Sequence, residues 1–237
     1  MPCLARSHCL DCGAENLAYL GASLIKVLLV DDHDLVRTGI RRIIEDTKGL
    51  KVVGEAQTGE EAIKLCREDA PDVVLMDMNM PGIGGLEATR KLARYCPDTK
   101  IIVLTVVTED PIPQKVMQAG AAGYLTKGAN PEEMIKAIRA VSVGQRYLAP
   151  DIAQKLALRQ FSGTDENPFS QLSDRELQIM MMITKGEKVQ DISEKLSLSP
   201  KTVNSYRYRL FDKLDITNDV ELTHLAIRHG MLDTSKL

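Results

Sequence analysis

From Ile25 onward, short apolar runs rich in β-branched residues alternate with stretches whose apolar positions recur every three to four residues. The runs are Ile25–Val30, Lys51–Glu55, Asp72–Met76, Lys100–Thr105 and Ala122–Thr126. Helical stripes separate and follow them: Val36, Ile40, Ile43 and Ile44; Ala62, Leu65 and Cys66; Leu86, Leu92, Ala93 and Cys96; Val116 and Ala119; then Met134, Ile135, Ile138 and Val141. Runs without polar alternation are buried on both faces, which is the habit of a parallel sheet covered by helices. The pattern predicts a doubly wound α/β domain over residues 24–146, flavodoxin-like, with a five-stranded parallel sheet in the order 2-1-3-4-5.

The pattern then changes. A short helix is predicted over Asp151–Phe161, followed by a polar Pro- and Gly-containing break, Ser162–Ser170, and residues 147–170 read as a linker. Residues 171–237 read as a small all-α domain of four helices, at about 173–185, 189–196, 200–213 and 218–229. Ser173 with Glu176 has the spacing of a capping box, and Ser199–Pro200 that of an N-cap followed by proline at the first helical position. The Met180–Met182 run reads as core filling.

Composition narrows the class. Lys and Arg total 30 against 33 Asp and Glu, a formal net charge of −3, which excludes a strongly basic nucleic-acid packaging protein but not a compact DNA module with locally placed cations. The five cysteines are an odd number and scattered, so a disulfide framework is not expected and a reducing cytoplasm is the predicted compartment. No stretch reaches the roughly 20 apolar residues that span a bilayer, so no membrane partner is expected. Leu17–Val30 could pass for a signal-peptide core, but Asp11 and Glu15 stand where positive charge belongs.

The chemistry lies at the strand ends. Asp31 and Asp32 follow the first run, Asp77 the third, Thr105 ends the fourth and Lys127 follows the fifth. All fall at carboxyl ends, where open α/β sheets bind ligands, and in the order 2-1-3-4-5 the three carboxylates converge. Three like charges require a cation, and oxygen ligands suit Mg²⁺, with Lys127 as a second positive charge. A carboxylate beside a divalent cation is a competent nucleophile toward a phosphoryl group, and Asp77, on the central strand, is the candidate. Thr105 and Lys127 would meet the transferred oxygens.

The segments LLVDDHD, VVLMDMNMPGIGGLE, VLTVVTED and AAGYLTKG resemble the receiver domain of two-component response regulators. The resemblance implies Asp77 as the phosphorylated residue, Mg²⁺ held by Asp31, Asp32, Asp77 and the backbone carbonyl of Asn79, Lys127 on the phosphoryl group, and Thr105 with Tyr124 as a switch pair. Most receivers carry proline after that lysine, whereas this chain has Gly128. The Gly82–Gly85 cluster reads as a loop after Pro81.

In the second domain, QDISEKLSLSPKTVNSYRYR reads as helix, tight turn, helix. Val203, Leu210 and Leu214 form the core side of the second helix, which also bears Lys201, Arg207, Arg209 and Lys213 with hydrogen-bonding residues between them, as a major-groove helix requires. The run LSDRELQIMMMITKGEKVQDISEKLSLSPKTVNSYRYRLFDKLDI resembles the LuxR-type helix-turn-helix of NarL/FixJ regulators, of the GacA/UvrY type. That resemblance implies base reading by Asn204, Ser205 and Tyr208 and phosphate contacts from Lys201, Thr202, Tyr206, Arg209 and Lys213. It further implies a hybrid sensor histidine kinase of the BarA/GacS type upstream, promoters of small regulatory RNA genes as targets, and a first domain that covers part of helix 200–213 until phosphorylated. The freed domains are expected to form a homodimer on double-stranded promoter DNA through the last helix, where Leu222, Leu225, Ala226 and His229 share a face.

Two other functions use the same residues. A Mg²⁺-dependent phosphatase needs an extra general acid or a cap beside Asp77, and neither is inserted in the sequence; a turnover enzyme is therefore not expected. A scaffold with a degenerate receiver is at odds with the complete set of Asp31, Asp32, Asp77, Thr105 and Lys127. Family members begin with Met where this chain has Leu24, so translation is expected to start there and residues 1–23 to be an over-extended or disordered segment. The alternative for Cys3, His8, Cys9 and Cys12 is a zinc site, but Cys9–Cys12 is one knuckle without a partner pair.

Overall fold

A computed structural model describes residues 24–107, 111–162 and 167–232. The expectations placed on residues 1–23, including Cys3, His8, Cys9 and Cys12, lie outside them. The first domain runs β1 (Ile25–Val30), α1 (Asp34–Glu45), β2 (Leu50–Ala56), α2 (Gly59–Glu68), β3 (Val73–Asp77), α3 (Gly84–Tyr95), β4 (Lys100–Thr105), α4 (Ile112–Gln118), β5 (Gly123–Thr126) and α5 (Pro131–Ser142). Its strands are parallel in the order β2-β1-β3-β4-β5, as the alternation of runs and stripes predicts.

One strand more is present than the sequence suggests. β6 (Tyr147–Leu148) pairs in parallel with β5 and makes the sheet six-stranded. Two residues are too few to show a period, which is why this strand is invisible in the pattern. Its amides bond well: Tyr147 N–H donates to the Ala122 carbonyl at 2.9 Å, and Ala149 N–H to that of Tyr124 at 3.2 Å. α6 (Pro150–Ser162) follows, with Ile152 fully buried in its first turn. The β6–α6 segment is thus attached to the first domain rather than free linker.

The second domain contains α7 (Asp174–Thr184), α8 (Val189–Lys195), α9 (Pro200–Leu214) and α10 (Asp219–Arg228), preceded by a 3-10 turn over Pro168–Gln171. That turn corrects the linker assignment for its last residues. Phe169 is fully buried and meets the His229 ring edge-on at 5.8 Å, so the domain's core begins there. Removing a phenylalanine side chain from water contributes about 2–3 kcal/mol, enough to fix a turn that polar composition alone reads as loose. The predicted caps form: Ser173 and Glu176 make a reciprocal capping box, and the Ser199 hydroxyl accepts from Thr202 N–H.

The two domains touch. In α7, Arg175 donates to the Gly82 carbonyl at 2.9 Å and Gln178 to that of Met80 at 3.5 Å, while Asp174 pairs with Arg90 of α3. Gly82 N–H donates to the carbonyl of Lys195 at 2.7 Å, and Lys115 Nζ to that of Leu172 at 2.6 Å. None of these bonds involves α9. The cover expected over part of helix 200–213 is corrected in its anchors: the first domain grips Leu172, α7 and Lys195, the last residue of α8, immediately before the turn into α9.

Candidate functional site

The register of the sheet assembles the acidic residues. Val30 pairs with Met76, so Asp31 and Asp77, one step beyond on neighbouring strands, stand side by side. Ligand atoms of Asp31, Asp32, His33 and Asp77 all lie within 4.8 Å of one another. Lys127 follows β5 and reaches back, its Nζ 2.7 Å from Asp31 Oδ2 and 3.0 Å from Asp77 Oδ2. Asp77 is buried, and its carboxyl is held above the ordinary range first by loss of solvent and then by Asp31, against the opposing pull of Lys127 and the Asn79 amide. For Lys127 burial alone would lower the pKa, but the Asp77 and Asp31 carboxylates outweigh it and raise the value. Asp32 Oδ1 and Asp77 Oδ2 are buried and meet His33 Nδ1 and Lys127 Nζ as ion-pair contacts outside good hydrogen-bond geometry, which leaves lone pairs for a cation. Converging carboxylates with lone pairs to spare fit a hard divalent cation.

Two contributors escape the strand-end pattern. His33 Nδ1 lies 2.9 Å from Asp32 Oδ1 and 3.2 Å from Asp31 Oδ1, and its backbone N–H donates to Asp31 Oδ1. Arg37, buried in α1, donates to the Asp31 carbonyl at 2.6 Å while paired with Asp34 and Glu55. It fixes the backbone of the first carboxylate from behind. The HDLVR spacing after Asp32 was the available signal, since His33 precedes the helix and Arg37 lies one turn in.

The β3–α3 loop after Asp77 is closely packed. A Cβ on Gly85 would stand 1.9 Å from the Asp77 carbonyl oxygen, so only glycine permits this approach. The Gly85 amide donates to Met78 O and that of Gly82 to the second domain, so neither faces an anion.

Thr105 and Tyr124 meet through a shared residue. The Thr105 hydroxyl accepts from Val107 N–H at 3.1 Å, and the Tyr124 hydroxyl donates to the Val107 carbonyl at 2.5 Å. Tyr124 is fully buried, so the ring of the expected switch pair stands inward in this structure.

On α9, Val203, Leu210 and Leu214 are buried as their spacing predicts, with Phe211 beside them. Lys201, Tyr208 and Arg209 are exposed, and Thr202, Asn204, Ser205 and Tyr206 are half-buried, Tyr206 packing against the core. The Arg209 guanidinium stacks over the Tyr206 ring at 5.0 Å. Two basic residues are committed within the domain. Arg207 forks onto Asp219, and Lys213 Nζ lies 2.7 Å from Glu176 Oε2. The face of α10 assigned to self-association is also occupied: Leu222 and Ala226 are buried in the domain's own core, and Val220 and Ile227 are the exposed apolar residues.

Comparison with known proteins agrees with both halves. A family model described as response regulator receiver domain matches residues 27–139, and one described as bacterial regulatory proteins, luxR family, matches residues 170–226. Response regulator UvrY of Escherichia coli (strain K12) is 69% identical over 215 residues, covering 90% of this chain and 99% of that protein. Response regulator GacA of Pseudomonas aeruginosa is 63% identical over 213 residues, covering 90% and 100%. Among solved structures, the Salmonella typhimurium RcsB response regulator superimposes with a TM-score of 0.70 at 26% identity, covering 88% of this chain and 99% of that one. No helix among the described residues is long and apolar enough to cross a membrane.

Proposed function

Because the chain belongs to the two-component response regulators that join a receiver to a LuxR-family DNA-binding domain, we propose that it is switched by phosphorylation of Asp77 and then binds promoter DNA. One observation carries this reading: the loop that leaves Asp77 itself takes part in holding the DNA-binding domain, through Gly82 and Met80, beside Arg90 and Lys115. Phosphate chemistry and DNA access therefore share one short segment.

The residues divide the work. Asp31, Asp32, Asp77 and the Asn79 carbonyl would hold Mg²⁺, whose chemistry is to neutralise charge on the transferred phosphoryl oxygens. An Asp77 oxygen attacks phosphorus; Lys127, already beside it, balances the charge that arrives, and Thr105 offers its hydroxyl to a phosphoryl oxygen. The aspartyl phosphate brings about two negative charges. Meeting them draws Thr105 from Val107, loosening the contact that also holds Tyr124. The phosphodonor is a sensor histidine kinase of the BarA/GacS type, and the chain turns over no substrate of its own.

With the clamp released, α9 enters the major groove. Asn204, Ser205 and Tyr208 read base edges, while Lys201, Thr202, Tyr206 and Arg209 contact phosphates. RcsB of Salmonella enterica serovar Typhimurium, with a TM-score of 0.64 to this chain at 26% identity, has been solved bound to promoter DNA in the presence of phosphomimetic BeF3−. RcsB has also been solved as two dimers bound to two parallel DNAs, at a TM-score of 0.54 and 27% identity, which supports a homodimer on promoter DNA here, and the likeness to UvrY and GacA supports small regulatory RNA genes as targets.

The test is labelling with Mg²⁺ and acetyl phosphate. One acid-stable, hydroxylamine-labile phosphoryl group is expected per chain, and none in Asp77→Asn. Fluorescence anisotropy on a target promoter should show tighter binding after labelling. Full labelling of Asp77→Asn, or equal DNA affinity with and without phosphate, overturns the reading.

A further inference from the structure

Beside the acidic cluster the two domains enclose a cavity of about 120 Å³. Asp32 and Asn79 form its inner side; Met181, Met182, Lys185 and Lys195 of the DNA-binding domain line its outer side. Asp32 and Asn79 are also residues assigned to the cation, so the cavity adjoins the place of phosphoryl transfer. Phosphoryl transfer proceeds roughly in line, so when an Asp77 oxygen attacks from β3 the leaving group departs outward, past the cation ligands. In the closed chain that outward region belongs to the DNA-binding domain.

Resting on the reading of Asp77 as phosphoacceptor, we propose that the docked DNA-binding domain completes the phosphodonor pocket: Lys185 binds the leaving carboxylate of a small acyl phosphate, and the same wall excludes a phosphohistidine carried on a protein until the domains part. The step balances without an added reagent. The Asp77 oxygen bonds to phosphorus, the bridging P–O bond breaks, and its electron pair leaves on the acyl carboxylate, with no proton transferred.

The lining suits that leaving group. Charge develops on the carboxylate as the bond breaks, and a cation there acts on the transition state more than on the donor. Lys195 is engaged by Glu187, Nζ to Oε2 at 3.0 Å, which leaves Lys185 as the cation for the departing group. The thioethers of Met181 and Met182 give a short acyl chain an apolar, adaptable seat. A cavity of this size has room for the leaving group of a small acyl phosphate, whereas an imidazole carried on a folded domain would need that domain in space the DNA-binding domain fills.

The experiment uses the full chain with Mg²⁺ and two donors, acetyl phosphate and a histidine-phosphotransfer domain loaded with phosphohistidine by its sensor kinase and ATP and then purified. Lys185→Ala is compared in two backgrounds: the native chain, and Arg90→Ala/Lys115→Ala, which removes receiver partners of Asp174 and of the Leu172 carbonyl. Small-angle scattering confirms that the second background is open, with Arg175→Ala added until it is. In the closed chain Lys185→Ala should slow labelling by acetyl phosphate about tenfold, below the roughly 10²-fold of a fully buried oxyanion donor because Lys185 is exposed. In the open chain the same change should matter less than about twofold. Opening should raise the rate from the protein donor about tenfold and leave Lys185→Ala without effect on it. Equal slowing in both backgrounds, no slowing in either, or a protein-donor rate indifferent to opening overturns the proposal. Failure of the Asp77 reading looks different: the native chain takes no label from either donor, or Asp77→Asn keeps it.

Discussion

Exchanging Lys213 for methionine decides what that lysine does. By motif position it belongs with the DNA phosphate contacts, yet its Nζ lies 2.7 Å from Glu176 Oε2, whose side chain is only 4% exposed. Stripping the partner from a buried ion pair costs about 3–5 kcal/mol when the remaining charge is uncompensated. Here the same Oε2 keeps the Ser173 N–H and hydroxyl, each at 2.8 Å, and the lysine side chain is itself 38% exposed. The expected loss therefore falls to about 1–2 kcal/mol. For a domain of this size that lowers Tm by roughly 5–15 °C. The pH dependence has a definite sign. Burial would raise the Glu176 pKa, but Lys213 and Ser173 outweigh it and hold the carboxyl below its ordinary 4.5. A depressed carboxyl contributes stability that is present above the unfolded value and lost as pH falls through the folded one. Calorimetry of Lys213→Met against the native chain should thus show the gap at pH 7 and its closure on acidification below about 4.5, with faster hydrogen exchange in α9. An unchanged transition at pH 7, with weaker DNA binding and a salt slope lower by about one, would restore Lys213 to the phosphate contacts and refute the structural assignment.

Gly85→Ala should abolish a folded receiver or cost more than about 3 kcal/mol, since its Cβ would meet backbone at Asp77, whereas Gly128→Ala, with nothing within 4 Å, should stay within about 0.5 kcal/mol; urea titration compares them. Phe169→Ala should destabilise the DNA-binding domain by about 3–5 kcal/mol, and a cost below 1 would return residues 168–171 to the linker. Because burial and Asp31 raise the Asp77 pKa, its charge opposes folding above that pKa, and the penalty is relieved as pH falls toward 3.8. Asp77→Asn should therefore raise Tm at pH 7, by less in acid, and should lose most of the stabilisation that Mg²⁺ gives the native chain, about 2.7 kcal/mol at one hundred times its dissociation constant.

Those features with a period or a fixed place at a strand end were legible in the residues alone. The stripes of α1 to α5 and the positions of Asp31, Asp77 and Lys127 required only alternation and the rule that ligands sit at carboxyl ends. What escaped depended on contacts between distant segments. β6 is two residues long and exists because β5 offers an edge. Phe169 sits among Ser, Asn and Pro, and only His229, far along the chain, shows that it is core. Leu222 and Ala226 carry the pattern of any apolar helix face; sequence cannot say whether such a face meets its own domain or a second copy. Lys213 likewise has the spacing of a groove-facing cation until Glu176, on another helix, is placed beside it.

The 3-10 turn at Pro168 shortens the tether. α6 ends at Ser162 and the turn begins at Pro168, so five residues of chain, 163–167, connect them. Fully extended, they span at most about 20 Å. A DNA-binding domain that lets go of Gly82 and Arg90 therefore remains within reach, and the receiver surface acts on it as a ligand at an effective concentration in the millimolar range. Promoter DNA has to outcompete that built-in ligand at every instant, so operator affinity and clamp strength are coupled quantities. A variant with flexible residues inserted after Ser162 would dilute the competitor, by about (3/2)RT ln of the length ratio, and raise the basal output without touching either domain.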